Sequence, residues 1–68
     1  MKIEISDPNL VDDLVNFLCA MGYIAKGESE RTVTAFLPLA AEDSHQRKDA
    51  ALLLRTWSAR RDAQALIL

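Results

Sequence analysis

Few side chains in this chain have the chemistry for catalysis or ligand capture. Cys19 is its one thiol and His45 its one imidazole. A nucleophilic cysteine needs its thiolate stabilised by a cation, a helix N-terminus or a paired histidine. Cys19 falls near the end of one helical segment and His45 at the start of another, so no catalytic residue is expected. A structural zinc ion takes four ligands, and two soft ones would have to be completed by carboxylates or a second chain. Neither a metal nor a cofactor is expected. The stretch LLLRTWSARRDAQALIL places Trp57 among Arg55, Arg60 and Arg61, a composition suited to an anion or nucleic-acid site. Helical spacing gives a different reading. Ala50, Leu53, Leu54 and Trp57 recur at i, i+3, i+4 and i+7, the core-facing stripe of a helix. The indole then belongs in the core. The terminal arginines complement the carbonyl end of the helix dipole, and Arg61, four residues after Trp57, can lay its stem over the ring.

The elements around these residues follow from pattern. MKIEIS alternates Ile3 and Ile5 with Lys2, Glu4 and Ser6, as a half-buried strand does. Asp7 is placed to cap a helix that starts at Pro8, where a missing N–H costs nothing, and Gly22 closes it. Its expected core stripe is Leu10, Leu14, Phe17, Leu18 and Met21, which leaves Cys19 facing away. YIAKGESERTVTAFLP reads as a hairpin of two short strands around GESE, ended by Pro38. Asp43 or Ser44 can cap the second helix, and Glu42 and Asp43 suit its N-terminal dipole. This helix ends near Arg60 or Arg61. The tail AQALIL reads as a fourth strand, with continuation of the helix as its competitor, because Ala, Gln and Leu are good helix formers.

The expected fold is therefore α+β: a ferredoxin-like β-α-β-β-α-β domain, a four-stranded antiparallel sheet with both helices on one face. That family layout implies strand order 4-1-3-2, with the tail and YIAKG as edges. It occupies residues 1–68 as a single domain, since 68 residues leave no room for a second. Recognition of RNA on the open sheet face needs aromatics on the central strands, where this chain has Lys2, Glu4, Thr32, Thr34 and Phe36. With a pI near 5.1, no nucleic-acid partner is expected. MKIEIS has neither a signal peptide's apolar region nor a membrane-spanning run, so the reading is cytoplasmic with no membrane partner.

SDPNLVDDLVNFLCAMGYI resembles the start of ACT domains, in which a strand is followed by an Asp-x-Pro-Gly loop, a helix, and a glycine before the second strand. Asp7, Pro8 and Gly22 match, and Asn9 stands where the family has its ligand-facing glycine. The resemblance implies a small-molecule-sensing module of the ACT or PII-like kind, with Asp7, Pro8 and Asn9 as ligand-binding candidates. The tail WSARRDAQALIL resembles the ends of short bacterial proteins of the same layout.

The leading expectation is a non-catalytic interaction domain. A single core in a chain below roughly 70–80 residues rarely supplies more than about 3–5 kcal/mol, and natural domains of this size add disulfides, a metal or a partner. One cysteine excludes an internal disulfide, so association remains. The net charge of −2 conceals an acidic first part and a basic last third, which can attract each other within a fold or between chains. The tail from Ala63 to Leu68 lacks the charge or proline that protects an edge strand. Alternation puts Ile67 on the opposite face from Leu66 and Leu68. Ile67 is expected on the open face with Phe36 and Tyr23. Phe36, Ile67, Leu68 and Tyr23 are thus the interface candidates for a two-fold homodimer, or for docking another protein, through the tail edge or the open face.

Overall fold

In a computed structural model, residues 1–38 and 43–68 are described. The chain forms β1 (Lys2–Ile5), a 3-10 turn (Pro8–Leu10), α1 (Val11–Ala20), β2 (Ile24–Gly27), β3 (Thr32–Phe36), α2 (Asp43–Arg61) and β4 (Ala65–Ile67). It is an α+β arrangement of one four-stranded antiparallel sheet and two helices, with strand order β2-β3-β1-β4. β2 and β4 are the edges, and the tail is a strand.

Ile3 and Ile5 of β1 and Val33 and Ala35 of β3 turn to one sheet face and are fully or almost fully buried. Leu14 and Leu18 of α1 and Ala50, Leu54 and Trp57 of α2 complete the same cluster, so both helices cover that face. The stripe expected on α2 is the one it uses, with Leu53 half-buried beside it.

The first helix departs from expectation. Asp7 accepts a hydrogen bond from the Asn9 N–H at 2.9 Å, and the Leu10 N–H donates to the Asp7 carbonyl at 3.0 Å. These bonds close a 3-10 turn, and the α-helix starts only at Val11. The inward face is broader than the expected stripe: Leu10 and Phe17 pack against the core with Leu14 and Leu18 as expected, and Val11 and Val15 join them. Met21, expected in the core, lies beyond the helix end and is exposed. The end is a Schellman closure. Gly22, at φ +94, donates to the Cys19 carbonyl, and Tyr23 donates to that of Leu18.

At the end of α2, Asp62 takes φ +51 and the Ala63 N–H reaches the Ser58 carbonyl, turning the chain into β4. The capping expected of Asp43 or Ser44, and the charge of Glu42, lie outside the described side chains.

Candidate functional site

The residues with chemical potential resolve first into structural ones. Trp57 is buried, and its indole N–H donates to Asp13 Oδ2 at 2.9 Å. Arg61 pairs with the same carboxylate through Nε and Nη2, and its guanidinium lies 5.4 Å from the indole centroid. Asp13, in the first turn of α1, thereby ties α1 to the last turns of α2. The Arg61 hydrogen bond, assisted by the indole, holds the Asp13 carboxyl below the usual carboxylate range against the opposing effect of burial. The cluster is closed around its own charges. A second latch joins Tyr23 to α2: its hydroxyl donates to Asp49 Oδ2 at 2.5 Å. Burial, then the neighbouring Asp49, pushes the phenol well above its ordinary pKa. Cys19 is exposed, as its helical angle predicts, and no group of three or more metal-ligating side chains occurs among the described residues.

Two of the interface candidates change face. Tyr23 precedes Ile24, whose side chain is on the open face; alternation sends Tyr23 inward, where it is buried. Ile67 pairs with the buried Ile3 and packs against the core, so it belongs to the helix-covered face. The expected alternation in the tail holds with its sense reversed. Leu66 and Leu68 are the outward pair. Phe36 and Leu68 are exposed on the open face. Asp7 uses its carboxylate as a cap, and Pro8 and Asn9 are exposed beside it.

The open face has a definite layout. Pairing places Lys26, Thr34 and Lys2 in one row that runs to Leu68, whose N–H donates to the Lys2 carbonyl. Thr32, Glu4 and Leu66 form the next row. Glu28 joins this side, accepting from the Thr34 hydroxyl at 2.8 Å and lying 3.4 Å from Lys2 Nζ. Apolar side chains mark the ends: Ile24 and Phe36, paired across β2 and β3, are 51% and 46% exposed, and Leu66 and Leu68 at the β4 edge are 62% and 52% exposed.

The other face ends in an open trough of about 960 Å³ beside β4. Ala51, Leu54, Arg55 and Ser58 of α2 line one wall, and Ile5, Ala63, Ala65 and Ile67 line the floor. The trough exists because three of these positions are alanine. Arg31, which precedes β3, also lines it. The sequence pattern drew attention to Arg55, Arg60 and Arg61 around Trp57 and missed that Arg31 shares a groove with Arg55. They are far apart in the chain, and only the crossover of α2 brings them to one groove.

No family model, no curated protein and no solved structure matches this chain.

Proposed function

We propose that this chain is a non-catalytic ferredoxin-like interaction domain that associates with a second copy through the open face of its sheet. The strand order, read from the other edge as 4-1-3-2, and the placement of both helices on one face support the ferredoxin-like layout. The observation that carries the association is the collection of Ile24, Phe36, Leu66 and Leu68 on one uncovered face of a chain whose small core has little stability to spare. The rows between them add self-complementarity. A lysine row lies beside a glutamate row, and a two-fold copy can set each against the other. The lone, unpaired cysteine suits a reducing, cytoplasmic setting.

Sedimentation equilibrium of the wild type and of Leu66→Lys and Phe36→Lys variants tests the reading. A wild-type dimer split by either lysine supports it. A wild-type mass of one chain at high concentration overturns it. The alternative, a small-molecule sensor acting through Asp7, Pro8 and Asn9, would show itself as a rise in melting temperature with an amino acid or nucleotide.

A further inference from the structure

The outer edge of β4 and the trough behind it form a surface separate from the open face. Along β1 and β4 the paired bonds fall on alternate residues: the Leu68 N–H donates to Lys2 and the Ser6 N–H to Gln64. Leu66, opposite Glu4, therefore directs its backbone groups inward, and Ala65 and Ile67 direct theirs to the free edge. A strand added there would pair with Ala65 and Ile67. Its side chains at those positions would enter the trough, and the intervening ones would lie beside Leu66 and Leu68.

The charge of the trough selects the occupant. Arg31 and Arg55 line it, and neither side chain has an ion-pair or hydrogen-bond partner among the described residues. Glu4, the one carboxylate in the lining, sits at an open-face position of β1. A second copy's β4, Ala65–Ile67, brings no carboxylate, and two-fold pairing of these edges would set Arg55 against its own counterpart. We propose that this edge accepts an extended segment of another protein in which apolar and acidic residues alternate, added as a fifth strand with its carboxylates in the trough.

The probe is a fluorescein-labelled peptide of alternating valine and glutamate, followed by anisotropy and by amide hydrogen exchange of the protein. The expected result is saturable binding that protects the Ala65 and Ile67 amides. Binding should weaken about tenfold in an Arg31→Gln/Arg55→Gln variant and for a peptide with lysine in place of glutamate. Arg55→Glu should narrow or reverse the preference between the two peptides. Matching melting temperatures of wild type and variants exclude unfolding as the cause. Equal binding to wild type and the double variant, protection confined to the open face around Ile24 and Phe36, or no binding at about 1 mM peptide overturns the proposal. The two surfaces share Leu66 and Leu68, and the two readings are told apart by Phe36→Lys, which should split the dimer and leave peptide binding and protection of the Ala65 and Ile67 amides unchanged.

Discussion

Replacing Asp13 by alanine should destabilise this domain far more than its surface position suggests. Trp57 has no solvent-accessible surface, so its indole N–H cannot turn to water when its acceptor at 2.9 Å is removed. A buried donor left unsatisfied costs about 1–3 kcal/mol. The Arg61 pair is lost as well, but side chains 30% and 41% exposed limit its worth to about 0–1 kcal/mol. Together these give about 1–4 kcal/mol, centred on about 2.5, a large part of the roughly 3–5 kcal/mol expected of one small core. The melting temperature should fall by roughly 10–20 °C, followed by circular dichroism and by the fluorescence of the single tryptophan. Asp13→Asn keeps an acceptor for the indole and loses the charge, so it should cost about 1 kcal/mol. The two variants also differ from wild type in pH response. The folded-state pKa of Asp13 is lowered from its ordinary 3.8, so its contribution is fully present above that value and is lost as pH falls through the folded one. Acid should therefore bring wild type towards Asp13→Asn. An Asp13→Ala variant melting within about 3 °C of wild type would refute the reasoning, because the indole N–H would then have another partner.

Trp57→Ala should unfold the domain or nearly so, because removing a large buried aromatic costs about 3–5 kcal/mol; an unchanged melting temperature would show the inner face of α2 to be misassigned. Cys19 should react with a thiol reagent in the native protein at a rate close to that in denaturant, and a reaction that accelerates only on unfolding would place it under a partner. Gly22→Ala should cost about 1 kcal/mol, since φ +94 strains any side chain although no atom lies within 4 Å of the added carbon; a neutral substitution, measured by chemical denaturation, would mean that the turn adjusts.

The elements were legible because each rests on a local preference. The alternation of Ile3 and Ile5, the Asp7-Pro8 start, Gly22 after the first helix and the Ala50-to-Trp57 stripe all act within a turn or two of chain. Where reading along the chain failed, a longer-range effect intervened. The 3-10 turn after Asp7 delayed the start of α1, Val11 and Val15 joined Leu10 and Phe17 against the core, and Met21, past the helix end, stayed exposed. Tyr23 went inward to meet Asp49, which is 26 residues away. Asp13 looks like an ordinary first-turn acid and gives no sign of its role until α2 brings Trp57 and Arg61 to it.

The period of the apolar residues and the turn chemistry by themselves determined the kinds of element, their order, the inner face of α2 and the outward angle of Cys19. These are properties of a few adjacent residues and their backbone preferences. Tertiary structure decided which face of β4 meets the helices. A two-residue alternation specifies that Leu66 and Leu68 oppose Ile67 but not which side is covered, and pairing Ile67 with Ile3 settles it. It also decided that Arg31 and Arg55 share one trough. Charges 24 positions apart in the sequence carry no record of their separation in space until the sheet is paired and the helix laid across it.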